Sequence, residues 1–444
     1  MSNLTLIRSF LESRIHEKLS REQTIRLREK RFRKIIKHAY NNSPFYHSLY
    51  RSHGITERDL YSVDIENIPT VTKEMLMDNL DDVLTVKDLT KKELLHFINM
   101  NHTPNDLFKK HYHVIHSSGT SGSQGIFVYS KKDWDSFFPY ITKTFDFNFT
   151  RKKTAYVGCI GGHFAALSFT SWLSKGITQL FCNLRILDIN KPTEEIISQL
   201  NEFQPDLLGG FFNELKILAE QQEKGILQIR PTTIVNCGEG VIPSDEEYIE
   251  TTFNAPLNNL YGFAECLISG IGKDEYGGIY LMDDIALIEV KNDHLLLTNL
   301  FNKTQPIIRY RIDDCLQIKE DRQNKLPFTL IGNIVGRAEK ILWFENEEGK
   351  MDFIHPFVFV VFYIEGLDRY RIIQRDKTSF DFLAVIKHKD KEEVKEEIMA
   401  NLDKLLTDKK FTNVQYSIKI VDDIPMDKRS GKYKLIVTEK ELIH

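Results

Sequence analysis

Apolar positions in the first forty residues recur at helical spacing among charged residues. This periodicity predicts one or two amphipathic helices over residues 5–40, because apolar residues three or four apart share one face of a helix. Turn-forming residues at 41–44 end the pattern. A basic run within it could touch nucleic acid, but interleaved core positions favour a solvated helix face. The run comprises Arg26, Arg28, Lys30, Arg31, Arg33, Lys34 and Lys37.

Short β-rich runs alternate with helical segments in the centre of the chain. They lie at residues 154–157, 184–187 and 233–236. This alternation is typical of βα units and predicts an α/β domain with a largely parallel sheet.

From about residue 275 the pattern becomes β-rich. Strand-like runs follow one another with short turns, at residues 278–281, 285–290, 295–298 and 307–311. This spacing predicts consecutive strands rather than further βα units.

After Gly336 the composition changes again. A Glu/Lys-rich segment around residues 388–410 stands among strand-like runs at 370–373, 382–386 and 416–420. We therefore expect a separate α+β domain of about a hundred residues at the C-terminus.

The composition is that of a soluble, folded protein. Of 444 residues, 41% are hydrophobic and 27% charged, which excludes a disordered chain. The net charge of −4 leaves no overall basic field for nucleic acid or an anionic membrane. The most apolar run, residues 353–364, is too short to span a bilayer and is better explained as a buried strand or short helix.

Five cysteines without a CxxC pair predict reduced thiols and a cytoplasmic location. The first residues lack the basic and apolar regions of a signal peptide, so we expect none. Cys266 has no neighbouring cysteine or histidine in the sequence, and we expect no structural zinc.

The strongest local signal is the segment SSGTSGSQG at residues 117–125, which follows His116 and precedes a strand-like run. Small residues leave backbone N–H groups free to surround an anion, as in a phosphate-binding loop. Composition alone fits a flexible surface loop equally well. The segment lacks the Gly-Lys-Ser/Thr of a Walker A loop, and Pro243 breaks a dinucleotide-binding pattern that would begin at Gly238.

Further motifs follow this loop in a fixed order. Their sequences are GE at residues 238–239, LYGFAE at 260–265, PIIRYRIDD at 306–314, GRAEK at 336–340, and IP with SGK at 424–425 and 430–432. In this order, with opening segments at residues 42–46 and 68–73, the chain resembles the adenylate-forming enzymes. The branch that it resembles contains phenylacetate–CoA ligases and capsule-biosynthesis adenylating proteins, and the similarity runs nearly end to end.

The resemblance implies two domains and a reaction. Residues 1–337 would form an adenylation domain, and residues 338–444 a small mobile domain that carries the catalytic lysine. A carboxylate would attack the α-phosphate of ATP and release pyrophosphate, and a thiol would then capture the acyl adenylate. Positioning and charge stabilisation supply most of the catalysis in such transfers.

The same resemblance assigns the nucleotide site. The loop would contact the β- and γ-phosphates, Tyr261 the adenine ring, and Asp314 both ribose hydroxyls. Asp313 occupies a position that the family leaves variable. The implied nucleotide-binding residues are Ser117, Ser118, Gly119, Thr120, Ser121, Gly122, Gly238, Glu239, Tyr261, Gly262 and Asp314.

The implied catalytic residues are Glu265, Arg337 and Lys432. Glu265 would bind Mg²⁺, Arg337 would lie near the ribose and phosphate, and Lys432 would neutralise charge on the α-phosphate and the attacking carboxylate. Taken singly, Glu265 and Lys432 are equally ordinary surface residues, so the assignment depends on the order of the motifs.

The chain departs from the family pattern at three places. Ser123 and Gln124 replace the usual Lys-Pro of the loop, which removes a cation. Ala264 replaces a Ser or Thr that would donate to the α-phosphate, and residues 339–340 read Glu-Lys where Asp-Asp or Asp-Lys is usual. These changes favour, as one alternative, a catalytically weakened nucleotide-binding homologue.

The acid site is predicted from position in the sheet. His163, Phe164, Phe211 and Phe212 each follow a predicted strand, where ligands gather in open α/β sheets. The phenylalanines could form an apolar pocket and His163 could meet the substrate carboxylate, although all four also fit an ordinary core. We expect an aryl or otherwise apolar acid, with CoA as acceptor. The alternative acceptor is a carrier-protein thiol or an amine, and the sequence specifies neither a monomer nor a dimer.

Overall fold

A computed structural model describes most of the chain. The described residues are 3–100, 103–104, 106–117, 125–137, 139–140, 151–160, 162–174, 179–238, 241, 243–291, 294–332, 341–355, 358–359, 364–424 and 434–438. No helix in these ranges is long and apolar enough to cross a membrane. All five cysteines lie within them and are free thiols.

The N-terminal region is helical, and further α-helices follow along the described chain. They are α1 (Asn3–His16), α2 (Arg21–Asn42), α3 (Pro44–Ser52), α4 (Lys73–Asp78), α5 (Leu80–Val83), α6 (Lys91–Asn99), α7 (Lys131–Asp135), α8 (Ala165–Trp172), α9 (Thr193–Phe203), α10 (Phe212–Glu223), α11 (Pro243–Phe253) and α12 (Lys391–Asp408). Ser20 and Gln23 form a capping box that starts α2. The predicted N-terminal helical region is confirmed as two helices, but α2 continues through Asn42 and only Ser43 separates it from α3, because Ser43 caps both helices.

The basic run of α2 is not uniformly solvated. Arg28 pairs with Asp283 at 2.9 Å, and the Arg31 guanidinium lies 4.6 Å from the centre of the Phe301 ring and donates to the carbonyl of Asp284. The prediction of a solvated face is therefore wrong for these two arginines. They attach α2 to the body of the protein.

An eight-stranded sheet forms the centre of the large domain. Its strands, in spatial order, are β13 (Thr329–Ile331), β9 (Gly278–Leu281), β8 (Gly270–Lys273), β7 (Leu257–Tyr261), β6 (Thr233–Cys237), β5 (Leu207–Gly210), β3 (Lys152–Gly158) and β4 (Cys182–Asp188). The five strands from β7 to β4 are parallel, and β8, β9 and β13 are antiparallel. The prediction of an α/β fold with a largely parallel sheet is confirmed.

Chain order within the parallel half reverses at β3. From β3 the chain passes outward to β4 and then returns to β5 on the other side of β3. Ligands in open α/β sheets bind at the carboxyl ends of the strands at such a reversal. The predicted acid and nucleotide motifs follow β3, β5, β6 and β7, and so share this edge.

Two smaller sheets complete the large domain. An antiparallel pair, β1 (Tyr112–His116) and β2 (Ile126–Ser130), flanks the glycine-rich loop, with His116 opposite Ile126. A three-stranded sheet contains β10 (Ala286–Val290), β11 (Leu295–Asn299) and β12 (Tyr310–Ile312).

The strand predicted at residues 307–311 is shorter than expected. Only β12 is extended, because Arg309 has a left-handed φ of 46°. Its N–H donates to the Thr298 hydroxyl at 3.0 Å, and its guanidinium pairs with the Glu289 carboxylate at 2.8 and 2.9 Å. These side-chain partners hold the backbone away from a strand conformation.

The small C-terminal domain is α+β. It contains the hairpin β14 (Leu342–Glu345) and β15 (Met351–Ile354), and a sheet of β18 (Gln415–Ile420), β17 (Ser379–Ile386), β16 (Leu367–Gln374) and β19 (Ile436–Thr438), in that order. Helix α12 begins at its cap Asp390 and buries Val394, Ile398 and Leu402, which are four residues apart. The predicted C-terminal α+β domain is confirmed.

The small domain contacts the carboxyl edge of the large sheet. The Thr193 N–H and hydroxyl donate to the two carboxylate oxygens of Asp352, at 3.0 and 2.5 Å. The Phe211 ring, directly after β5, stacks on His355 with 4.6 Å between centroids. Lys191 pairs with Asp408 at 3.1 Å. The contact therefore covers loops beside the predicted acid site.

A buried lysine lies at the centre of this contact. The Lys409 side chain is inaccessible to solvent, 3.8 Å from Asp352 and 4.6 Å above the Phe353 ring. Burial lowers the pKa of Lys409, and the charges of Asp352, Glu214 and Asp188 oppose that shift. Glu214 and Asp188 belong to the large domain, so the charge cluster spans both domains.

Candidate active site

Tyr261 and Asp314 meet although 53 positions separate them in the chain. The Tyr261 hydroxyl, at the end of β7, donates to the Asp314 carboxylate at 3.2 Å. Burial raises the pKa of Tyr261 well above its usual value, and the Asp314 charge adds to the shift, so the hydroxyl keeps its proton and remains a donor. Adjacent Asp313 is exposed and pairs with Arg311 at 3.0 Å. The two aspartates thus have different surroundings, and only Asp314 lies with the predicted adenine-binding tyrosine.

Glu265 is a buried carboxyl beside the same pair. Burial raises its pKa, while a hydrogen bond from the Tyr310 hydroxyl and the positive charge of Lys73 act in the opposite direction. The negative charge of Asp314 also acts to raise the pKa of Glu265, and Glu265 follows Tyr261, the partner of Asp314, by four residues. A partly desolvated carboxylate with another close by attracts a cation.

A tight turn joins Tyr261 to Glu265. Its closing contact is the Phe263 N–H, which donates to the Leu267 carbonyl at 3.2 Å. A Cβ placed on Gly262 would lie 1.8 Å from that carbonyl oxygen, so only glycine fits the turn. Leu267 itself has a φ of 39°. The turn sets the separation of Tyr261 and Glu265.

The phosphate-loop prediction can be followed only at the base of the loop. The Ser117 N–H donates to the Gly125 carbonyl at 2.9 Å, which closes the loop where β1 ends and β2 begins. A Cβ on Gly125 would be 2.6 Å from the Ser117 hydroxyl oxygen. The rest of the loop, residues 118–124, lies outside the described part of the chain.

His116 links this loop base to the loop after β3. The backbone N–H of His116 donates to the His163 carbonyl at 3.0 Å, and the ring Nε2 of His116 accepts from the backbone N–H of His163 at 3.1 Å. Burial and, to a smaller extent, nearby His163 lower the pKa of His116 to about 3, so the ring is neutral and Nε2 can accept. A histidine just before a glycine-rich loop was the available sequence signal, but its partner could not be identified from the sequence.

The residues predicted for the acid lie at one edge but in different apolar clusters. The His163 ring lies 5.1 Å from that of Phe97, and Phe164 packs edge-on to His116 at 4.2 Å. Phe211 packs with the small domain, whereas Phe212 packs in the core between the sheet and its helices. The structure therefore does not bring the three predicted phenylalanines together.

Other predicted residues are partly or wholly outside the described chain. Gly238 has a φ of +91°, as a turn after β6 requires, and a Cβ placed on it would lie 4.0 Å from the Phe211 ring. The undescribed predicted residues are Ser118, Gly119, Thr120, Ser121, Gly122, Glu239, Arg337 and Lys432.

The chemistry around Glu265 suits Mg²⁺ held jointly with a nucleotide. Within the described ranges no three His, Cys, Asp or Glu side chains cluster as a metal site. Mg²⁺ bound to a nucleotide commonly takes only one or two protein carboxylates, together with phosphate oxygens and water. Glu265, with Asp314 near it, fits that mode better than a site built from protein ligands alone.

Three known proteins show what the chain is similar to. Protein CapK of Staphylococcus aureus is 22% identical over 90% of this chain and 86% of CapK. The phenylacetate-coenzyme A ligase of Aromatoleum evansii is 21% identical over 73% of each chain. A structure of 2-hydroxyisobutyryl-CoA ligase with 2-HIB-AMP and CoA, in the thioesterification state, has a TM-score of 0.61 at 15% identity, over 96% of this chain and 91% of that one.

A family model supports the same relationship in the small domain. The model described as CapK C-terminal domain matches residues 347–439. Together, these findings confirm the resemblance to adenylate-forming enzymes of the phenylacetate–CoA ligase and capsule-biosynthesis branch.

Proposed function

We propose that the protein is an AMP-forming acid–thiol ligase that activates a carboxylic acid with ATP and transfers the acyl group to CoA. The observation that carries the proposal is the meeting of Tyr261 with Asp314 beside buried Glu265, at the carboxyl edge of the sheet. The relatives named phenylacetate-coenzyme A ligase and the shared fold of 2-hydroxyisobutyryl-CoA ligase support it.

In this proposal the strand ends bind the nucleotide. Tyr261 lies against the adenine, and Asp314 accepts hydrogen bonds from both ribose hydroxyls, because an ionised carboxylate offers two acceptor oxygens. Loop residues 117–122 and the turn at Gly238 and Glu239 surround the phosphates. Glu265 holds Mg²⁺, which would supply charge neutralisation for the triphosphate.

The boundary between the domains is proposed to lie near residues 337 and 338. Arg337 then stands beside the ribose and phosphates, and Lys432 comes from the small domain to the α-phosphate and the attacking carboxylate. Conformational steps of this kind allow one active site to serve two half-reactions.

The acid is proposed to be aryl or otherwise apolar. His163 and Phe164 both contact His116, which precedes the base of the loop. Phe211 follows β5 at the same edge of the sheet. Phe212 is better explained as a core residue, because it packs among helix residues on the sheet. Neutral His116 and these aromatic rings suit an apolar acyl group whose carboxylate points toward the phosphates.

A second candidate differs only in the acceptor. Similarity to CapK covers more of the chain than similarity to the phenylacetate-coenzyme A ligases, and the small-domain family model is also named after CapK. Because the relatives whose names include CoA cover less of this chain, transfer to a carrier-protein thiol or an amine is kept as the alternative.

Pyrophosphate release with a panel of acids tests the proposal. Arylacetic, benzoic, short aliphatic and hydroxy acids would be added singly to the protein with ATP and Mg²⁺, and a no-acid reaction would serve as the control. We expect release with at least one apolar acid, and a CoA thioester by mass spectrometry when CoA is added. Adenylate formation without CoA consumption would favour the alternative acceptor, and no acid-dependent release would contradict the ligase proposal.

The two aspartates provide a test of the nucleotide site. We expect Asp314→Ala to weaken ATP binding by about 1.5–3 kcal/mol, the range for hydrogen bonds to a charged group. Asp313→Ala is the matched control and should have a much smaller effect, because Asp313 is exposed and pairs with Arg311. Calorimetric titration of both variants decides the assignment. Equal losses, or a larger loss at Asp313, would contradict it.

Glu265→Gln tests the cation site. Because the amide cannot supply the negative charge, we expect the Mg²⁺ concentration for half-maximal pyrophosphate release to rise about tenfold or more. Glu246→Gln is the control, since Glu246 is a partly buried carboxylate outside the predicted motifs that accepts a hydrogen bond from Asn259 at 2.9 Å. An unchanged Mg²⁺ titration in Glu265→Gln would remove Glu265 from the cation site.

A further inference from the structure

We propose that Tyr129 and Asn299 are positioning residues that grip the main chain at Ala264 and Glu265 and so aim the Glu265 carboxylate at the cation. The inference rests on the proposed function, because it assigns a purpose to the surroundings of its cation ligand. Neither residue belongs to the motifs that led to the site. Both act through backbone carbonyl groups rather than by touching the nucleotide.

Tyr129 holds the carbonyl directly before Glu265. It lies on β2, is completely buried, and its hydroxyl donates to the Ala264 carbonyl at 2.6 Å. Its ring is fixed edge-on against Trp134 and Phe137, with centroid distances of 5.8 and 6.1 Å. The hydroxyl therefore has one position, and the Ala264 carbonyl is held against it.

Asn299 holds the next carbonyl. Its Nδ2 donates to the Glu265 carbonyl at 2.9 Å, and it too is completely buried. Its Oδ1 accepts from the N–H groups of Phe301 and Asn302, at 2.9 and 3.0 Å. These two bonds fix the orientation of the amide, so that Nδ2 must face Glu265.

The segment that contains Asn299 also binds the strand after the phosphate loop. Asn302 Nδ2 donates to the Val128 carbonyl at 3.0 Å. Gln305 accepts from the Val128 N–H at 2.7 Å and donates to the Ile126 carbonyl at 3.0 Å. The Gln305 amide thereby pairs with β2 as a neighbouring strand would.

These contacts join two parts of the proposed site into one unit. Strand β2 begins at Ile126, directly after the glycine-rich loop of residues 117–125, and Tyr129 extends from β2 to the main chain beside Glu265. Residues 299–305 contact both β2 and Glu265. A shift of β2 would therefore move the cation ligand as well. Outer-shell partners of metal ligands commonly account for 10–100-fold in metal affinity.

The test compares two tyrosines that make the same kind of bond. Tyr129→Phe removes only the hydroxyl that holds Ala264. Tyr370→Phe is the control, because Tyr370 is also buried and donates to a backbone carbonyl, that of Phe359 at 2.7 Å in the small domain. The readout is Mn²⁺ binding measured by electron paramagnetic resonance in the presence of a non-hydrolysable ATP analogue, with thermal unfolding measured in parallel.

We expect Tyr129→Phe to weaken Mn²⁺ binding about 10–100-fold while Tyr370→Phe leaves it unchanged, with both variants losing similar thermal stability. Asn299→Ser, whose side chain is too short to keep the same contact, should weaken Mn²⁺ binding in the same direction and provides a second test if Tyr129→Phe unfolds. Unchanged Mn²⁺ affinity in these variants, or an equal loss in Tyr370→Phe, would overturn the inference alone. Failure of the wild-type protein to bind Mn²⁺ with the analogue would overturn both the inference and the proposed cation site.

Discussion

Replacing Lys432 by alanine is expected to lower the rate of acyl-adenylate formation by about 10²–10³, the effect of removing one preorganised charge-stabilising donor from a transition state. Lys432 lies outside the described residues, in the connection between β18 and β19. Those strands occupy opposite edges of the small-domain sheet.

The second half-reaction distinguishes a delivered lysine from a folding defect. Supplied with synthetic acyl adenylate, Lys432→Ala should transfer the acyl group at nearly the wild-type rate, because we expect Lys432 to act only while the adenylate forms. Lys428→Ala, four residues away, is the matched control and should leave both rates unchanged. An equal loss in both half-reactions would refute delivery by the small domain, and no loss in either would make Lys432 an ordinary surface residue.

Replacing Gly262 by alanine is expected to destabilise the fold by about 3 kcal/mol or more and to lower adenylate formation by about 10² in the protein that remains folded. The added Cβ would lie 1.8 Å from the Leu267 carbonyl oxygen, which is part of the backbone and cannot rotate away. The turn must therefore open, and it carries Tyr261 at one end and Glu265 at the other. Denaturant unfolding and pyrophosphate release together measure the two effects.

Gly332→Ala provides the comparison. Among the described residues, a Cβ at Gly332 would meet only the Gln317 carbonyl, at an ordinary distance of 3.9 Å. We expect this variant to differ from the wild type by less than about 1 kcal/mol. If Gly262→Ala were equally harmless, the turn could relax, and it would not set the distance between Tyr261 and Glu265.

Much of the fold could be predicted because its signals are local. The run at residues 278–281 is β9 itself, and the Glu/Lys-rich segment around 388–410 contains α12. The expected strand at 307–311 failed at Arg309, whose left-handed backbone depends on Thr298 and Glu289, partners that local propensity cannot reveal.

The site was less predictable than the fold. Motif order indicated Tyr261, Glu265 and Asp314, and the structure brings these three residues near one another. It could not indicate His116 or Asn299, because a buried polar side chain acquires its role from distant partners. The sequence also could not show that Phe164, Phe211 and Phe212 lie in three separate apolar clusters. All three side chains have the same hydrophobicity and differ only in which elements pack over them.

The contact between the domains contains a buried group of charged side chains around Lys409, which water can solvate if the contact opens. Burial removes water from around the Lys409 ammonium, and the attraction of Asp352 and Glu214 offsets only part of that loss, so the pKa of Lys409 is lowered. If the surfaces part, water solvates the same ions instead of meeting a purely apolar face. If the small domain moves as proposed, a contact of this composition exposes ionic groups together with apolar ones, rather than a wholly apolar surface that would favour aggregation.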